Sequence, residues 1–184
     1  MKVLHALTLV GALGAAQAEA FDFSGDKALI AVTKDGARTR IGRVSFAPAA
    51  NGRTGFRVQM DTAVMRDYFL SMREFKCLPS AVEVNCHVPY PYRHTATVSA
   101  TDLGWLEHNL LFLYKQPSDF GAKLWNGLMF SFRATPGALV GSPQAVDLNA
   151  ISAPPDRLDI APFGKGDRHD FAPGERWLGE LRIE

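Results

Sequence analysis

Both cysteines of the chain lie in one short stretch, Phe75–His94, which also holds the densest run of proline and tyrosine. Cys77 and Cys86 enclose eight residues. This C-x8-C spacing is neither the C-x-x-C of thiol oxidoreductases nor that of a zinc knuckle. Cysteines of exported chains are expected to pair. The stretch therefore predicts a structural disulfide. From the chain entropy of a loop of this length, the bond should stabilise the fold by roughly 2.5–3 kcal/mol.

The N-terminus indicates export, because residues 1–20 read as a secretory signal peptide. Lys2 supplies the positive charge, residues 3–16 are mostly apolar, and two small-x-small motifs predict cleavage after Ala18 or Ala20. The apolar run is shorter than the ~20 residues of a membrane-spanning helix. We expect a periplasmic or secreted protein of one β-rich globular domain, residues 21–184, with no transmembrane segment in the mature chain.

The charge balance argues against nucleic acid as a partner. The chain has twenty Lys and Arg residues and nineteen Asp and Glu residues, which gives a formal net charge of +1. Proteins that bind phosphate backbones are usually strongly basic on at least one face, whereas the basic residues here are scattered along the chain.

Period-2 alternation of apolar and polar residues is the main fold signal. Gly55–Met60 shows it strictly, with Phe56, Val58 and Met60 on one face. Residues 110–114 form a continuous apolar run that fits either a strand or the tail of a short helix beginning near Asp102. The other strand-like segments are 27–34, 38–46, 81–88, 95–100, 123–134, 139–148 and 177–183. We expect a mainly β fold, an antiparallel barrel or sandwich with one or two short helices packed on it. The alternative is an α+β fold with an open antiparallel sheet.

Residues 61–76 change period and predict a helix. Their apolar side chains recur at spacings of three and four, which forms a stripe on a helical wheel. The stripe consists of Val64, Met65, Tyr68, Phe69, Met72 and Phe75. Leu70 falls off this stripe, and a strand is the alternative for the second half of the segment.

Residues 152–174 predict a long irregular segment, with four prolines and three glycines among 23 residues. Long loops inside compact domains are often functional or mobile.

The sequence Pro89-Tyr90-Pro91-Tyr92 is the main candidate binding feature. Each proline lacks a backbone donor, so the segment cannot lie inside a sheet and should form a rim or a crossover. The two tyrosine rings either line that rim or plug the end of the domain, and burial of large rings favours plugging. The predicted ligand-binding residues are Tyr90, Tyr92, His87, His94 and Trp105; Trp125 and Trp177 add further aromatic surface suited to sugar rings or an apolar pocket.

The histidines show no metal-ligand spacing, and no nucleophile motif is present, so we expect no metal and no cofactor and leave catalytic residues unassigned. The favoured function is a non-catalytic module of the cell envelope that binds a small molecule, a glycan or an envelope protein. A cofactor-free envelope hydrolase using Glu107, His108 or His87 is the alternative. An assembly factor without a ligand also fits.

Overall fold

Twelve antiparallel strands form one sheet in the computed structural model, which describes residues 20–70 and 73–184. One α-helix, α1 (Gly104–Asn109), and short 3-10 helices at 50–52, 62–64, 148–151 and 165–167 complete the secondary structure of these residues. The strands are β1 (Gly25–Thr33), β2 (Arg38–Pro48), β3 (Thr54–Met60), β4 (Arg66–Leu70), β5 (Arg73–Leu78), β6 (Val84–His87), β7 (Thr97–Val98), β8 (Phe112–Lys115), β9 (Gly127–Thr135), β10 (Ala138–Val146), β11 (His169–Asp170) and β12 (Leu178–Ile183).

The sheet is open, with β4 at one edge and β7 at the other. Its order is β4-β5-β6-β8-β9-β10-β12-β1-β2-β3-β7, and β11 pairs with β10. The prediction of a mainly antiparallel β fold with short helices is confirmed, and the sheet has the open arrangement that was the alternative to a barrel or sandwich. The run 110–114 forms most of strand β8 rather than the end of α1.

The proline-rich segment after β6, the third strand from the β4 edge, crosses toward the β7 edge of the sheet. The Val88 N–H donates to Leu111 O (2.9 Å) and the Tyr90 N–H to His108 O (3.0 Å). Farther along, Ala96 O accepts from the Phe56 N–H of β3 (2.9 Å). Helix α1 contacts both β7 and β9. The sheet therefore curls around α1, and residues 88–96 connect two distant parts of it.

The helix predicted over residues 61–76 is wrong, because this part of the chain forms the hairpin of β4 and β5. Leu70 distinguishes the two structures: it lies off the helical stripe yet is only 3% exposed. Phe69 lies on the stripe yet is 69% exposed. Alternate residues of a strand face opposite sides of the sheet, so Tyr68 and Leu70 turn inward while Phe69 turns outward. Met72, also on the stripe, lies outside the described residues.

The predicted disulfide is confirmed and links two neighbouring strands. Cys77 of β5 and Cys86 of β6 are directly opposite in the register and both are fully buried. Cys86 thus faces the core with Val84, and its partner lies near the end of strand β5 and not after the predicted helix 61–76.

The predicted leader, residues 1–20, lies outside the described residues except for Ala20. Among the residues that the structure describes, no helix is long and apolar enough to cross a membrane.

We expect the double variant Cys77→Ala/Cys86→Ala to be less stable than the oxidised protein by about 2.7 kcal/mol, the chain entropy of a loop of this length. The measurement is urea unfolding followed by circular dichroism. Wild-type protein reduced with a thiol is the control, and it should lose a similar free energy of unfolding. Equal unfolding midpoints for oxidised and reduced protein would contradict a stabilising role for this bond.

Candidate functional site

The structure brings four of the five predicted ligand-binding residues into one aromatic cluster. The Tyr90 ring lies 5.6 Å from the Trp105 ring and 5.5 Å from the Tyr92 ring. His94 stacks on Trp105 at 5.2 Å. The buried His108, not among the predicted binding residues, completes the cluster at 5.7 Å from Trp105. The crossover and α1 therefore position these rings against each other.

Burial divides the cluster into a plug and a rim. Tyr90 and Trp105 are buried, and the Tyr90 hydroxyl has no hydrogen-bond partner among the described residues. Burial, with a smaller contribution from Tyr92, raises the pKa of Tyr90. Tyr92 is half-buried and borders a hollow of about 300 Å³ that it shares with Pro89 and Pro91. Tyr90 is thus a plug, and Tyr92 is the cluster residue that lines a cavity. That these residues bind a ligand stays a prediction.

His87 and His94 lie on either side of Asn109 rather than at a shared ligand site. His87 Nε2 is 2.9 Å from Asn109 O, while His94 Nε2 is 3.1 Å from Asn109 Nδ2. His94 Nδ1 accepts from the Ala96 N–H at 3.0 Å. Burial lowers the pKa of both histidines. No group of three or more His, Cys, Asp or Glu within the described ranges could hold a metal ion.

Glu107 and His108, the hydrolase candidates on α1, hold a distant segment in place. Glu107 Oε1 accepts from the Phe132 N–H of β9 (2.9 Å), and its Oε2 pairs with Arg168 (2.8 Å). His108 Nδ1 lies 2.7 Å from Gly104 O, and its Nε2 accepts from the Phe163 N–H (3.1 Å). Arg168 donates to Phe163 O at 2.8 and 3.0 Å. Both backbone groups of Phe163 are therefore fixed by side chains.

The contacts of Glu107, His108 and Arg168 with Phe163 and with one another are called here the clamp. The clamp orders part of the predicted irregular segment 152–174, which carries only the short 3-10 helix 165–167 and strand β11. The Phe163 ring is buried and stacks on His108 at 5.4 Å. Hydrogen bonds at Phe163 and Arg168 hold both ends of residues 163–168, which form a wall at the surface.

Trp125 lies opposite this wall at the tip of a β-turn. The turn, residues 123–126, is closed by the Asn126 N–H donating to Lys123 O (2.9 Å), and Leu124 O accepts from the Leu148 N–H (2.8 Å). The side chain of Trp125 is 63% exposed. Large aromatic side chains are usually buried, so a rigidly held and exposed indole is a candidate binding surface.

A cavity of about 360 Å³, called here the Trp125 hollow, lies between the turn and the wall. It is lined by Trp125, Ala145, Val146, Asp147, Ala150, Phe163, Gly166, Asp167 and His169.

The two aspartates of the hollow are held in fixed orientations. Asp147 Oδ1 accepts from the Asn149 N–H (2.9 Å) and caps the 3-10 helix 148–151. Asp167 Oδ2 accepts from the Gly164 N–H (2.9 Å). Each carboxylate has a second oxygen without a hydrogen bond, and neither forms an ion pair, within the part of the chain that the structure describes. These oxygens are free to accept hydrogen bonds from a ligand.

Sequence reasoning identified Trp125 as possible sugar-stacking surface but missed Asp147, Asp167 and His169. A local signal existed for Asp147, because Asp is a favoured N-cap residue, whereas Asp167 lies inside the 3-10 helix 165–167 and had none. Nothing in the sequence places the two aspartates beside the same tryptophan.

We expect stability to fall between pH 7 and pH 4 because of His108. Burial, aided by Arg168 and His94, lowers its pKa from the ordinary 6.5 to about 4. The folded protein therefore favours the neutral form of His108. This contribution to the free energy of unfolding is fully present above pH 6.5 and is lost as the pH falls toward 4. The shift corresponds to about 3 kcal/mol. Urea unfolding at pH 7 and pH 4 should show that His108→Gln loses about 3 kcal/mol less than wild type over this range. The same pH dependence in both proteins would contradict this role.

Comparison with known proteins gives no match for this chain, whether to a family model, a curated protein or a solved structure. The geometry of the described residues carries the functional proposal.

Proposed function

We propose that the protein is an exported, non-catalytic module of the cell envelope that binds a sugar ring in the Trp125 hollow. The observation that carries the proposal is the exposed indole of Trp125 beside two fixed carboxylates in one concave space.

The hollow combines the two kinds of contact that a sugar needs. A pyranose has an apolar face of C–H groups, which packs on the face of an indole, and a circumference of hydroxyls. The spare oxygens of Asp147 and Asp167 accept hydrogen bonds from such hydroxyls, and bonds to a charged group contribute about 1.5–3 kcal/mol each. The volume of about 360 Å³ lies within the usual range of small-molecule sites.

Preorganisation supports binding at this place. The turn carrying Trp125 is fastened to Leu148, and the opposite wall is fastened by His108 and Arg168 through Phe163. Ordering these segments costs free energy during folding and not during binding, which favours affinity.

The envelope location rests on the predicted leader and on the disulfide. A buried Cys77–Cys86 bond is the state expected in an oxidising compartment.

Titration of the mature protein with N-acetylglucosamine, glucose, galactose and their β-1,4-linked disaccharides and trisaccharides tests the proposal. The indole N–H signals and the backbone amides of residues 145–150 and 163–169, the segments that line the hollow, are followed by NMR; the amides report binding in the Trp125 variant. We expect the Trp125 signal to shift saturably with at least one sugar, with a dissociation constant on the order of 1 mM because a single ring is contacted. Trp125→Ala should weaken binding by about tenfold or more. Asp147→Asn keeps a capping side chain and should weaken it similarly through the lost charge.

Matched controls separate the hollow from general surface effects. Phe120→Ala removes another fully exposed aromatic of the same loop and should leave binding unchanged. Asp61→Asn changes an aspartate that likewise caps a 3-10 helix, away from the hollow. A Trp125 signal that no sugar shifts would refute the proposal. Saturation by choline but not by its neutral analogue 3,3-dimethylbutan-1-ol would instead identify the hollow as a site for organic cations.

A further inference from the structure

A second concavity, called here the Lys115 cleft, lies between the C-terminal end of β8 and the residues just before β12. Its volume is about 450 Å³. The residues that matter for its chemistry are Lys115, Arg176, Glu83, Tyr114, Trp177 and Lys123.

Lys115 is a buried ammonium with one protein acceptor. It follows Leu113 on the inward face of β8, and it is only 4% exposed although it lines the cleft. Its Nζ donates to Gln116 O at 2.9 Å. An ammonium has three N–H donors, and Lys115 takes part in none of the ion pairs between described residues. Two donors therefore have no acceptor in the described part of the protein.

Arg176 is a second cation in the lining of the cleft. Its Nη1 pairs with Glu83 Oε2 (3.3 Å) and its Nη2 with Glu175 Oε1 (3.6 Å). The guanidinium lies 4.2 Å from the centroid of the Tyr114 ring and 5.0 Å from that of Phe171. Its Nε is buried and has no hydrogen-bond partner among the residues described.

Glu83 balances only one of these two cations. Its Oε1 accepts from Asn85 Nδ2 (3.1 Å) and from the Trp177 N–H (3.3 Å), while its Oε2 holds Arg176. Arg176 has two carboxylate partners, whereas Lys115 has none among the described residues. The lining as a whole carries one positive charge in excess, with four cations and three carboxylates: Lys34, Lys115, Lys123 and Arg176 against Glu83, Asp119 and Glu175. Removing an uncompensated charge from water costs several kcal/mol. An anion in the cleft would supply the missing charge and the missing acceptors together.

We propose that the Lys115 cleft binds a small organic monocarboxylate, whose anionic group accepts hydrogen bonds from the two spare N–H donors of Lys115 and is attracted by the nearby guanidinium of Arg176. Trp177 and Tyr114 offer apolar surface to the rest of the molecule.

A carboxylate fits this donor set better than a phosphate. The guanidinium of Arg176 already lies against Glu83 and Glu175 (3.3 and 3.6 Å), which compete with a phosphate for its paired Nη donors. Three carboxylates, Glu83, Asp119 and Glu175, also line the cleft and repel a dianion more strongly than a monoanion.

This site is independent of the Trp125 hollow, because the two cavities have no lining residue in common. Failure of sugar binding would leave the anion proposal intact.

The test is an NMR titration of the mature protein with sodium acetate, at constant ionic strength, with its neutral analogue acetamide as control. We expect acetate to shift the Lys115 side-chain signal and the backbone amides of 114–116 and 176–177 saturably, and acetamide to leave them unchanged. Lys115→Met keeps the length of the buried stem and should weaken acetate binding at least tenfold. Because it removes an uncompensated buried charge, its melting temperature without ligand should equal or exceed that of wild type.

Lys123→Met is the matched control, since Lys123 lines the same cleft but is exposed and pairs with Asp119 (3.7 Å). It should change acetate affinity by less than about twofold. The proposal is overturned if acetate does not saturate, if acetamide produces the same shifts, or if Lys115→Met binds acetate as wild type does. Tighter binding of inorganic phosphate than of acetate would overturn the assignment to monocarboxylates. The Lys115 signal of the wild-type protein gives a reading that depends on no variant.

Discussion

The buried carboxylate of Glu107 connects the sheet, the helix and the long segment that follows β10. One oxygen accepts from the backbone of β9 at Phe132, and the other holds Arg168, which in turn holds the carbonyl of Phe163. Removing one partner of a buried ion pair typically costs about 3–5 kcal/mol, because the other charge is left without compensation. The order of residues 163–168, and with it one wall of the Trp125 hollow, depends on this carboxylate.

The two buried charge networks differ in whether they are complete. Around Glu107, each charge has its counterpart and both backbone groups of Phe163 have partners. Around Glu83, the Arg176 guanidinium lies against two carboxylates, Glu83 and Glu175, while Lys115 has only a backbone carbonyl. A complete network stabilises a fold and offers nothing to a ligand. An incomplete one beside a cavity leaves donors that a ligand can satisfy, so Lys115 rather than Glu107 indicates a binding site.

Local alternation was sufficient to find most strands but not to separate a hairpin from a helix over residues 61–76. Apolar residues three and four positions apart are typical of a helix, but they also occur in a hairpin. The inward-facing residues of its two short strands fall at irregular intervals along the sequence. Leu70, which did not fit the helix, was the informative residue, and it is buried. The disulfide was predictable because both cysteines are close in sequence and the leader implies an oxidising compartment.

The sites were harder to predict, because their residues are distant in sequence. Lys115 ends an apolar run, and the sequence does not show whether its ammonium reaches solvent or remains in the wall of a cleft. Asp147 caps the 3-10 helix 148–151 and Asp167 ends the helix 165–167, and the clamp at Phe163 holds the second beside the first in one cavity. Burial of Tyr90 and Trp105 follows the general tendency of large rings, whereas the exposure of Trp125 follows from its place at a turn.

The turn 123–126 explains how one short stretch can serve several cavities. Side chains of a β-turn diverge, so Lys123 and Asn126 line the Lys115 cleft, Trp125 lines the Trp125 hollow, and Leu124 borders the hollow beside Tyr92. Hydrogen bonds tie the turn to β8 through Tyr114 and to the helix 148–151 through Leu148. Because hydrogen bonds hold this backbone on both sides, we expect occupancy of one site to leave the geometry of the other unchanged. Coupling between them would require differential contacts with two arrangements of this turn, and its hydrogen bonds favour a single one.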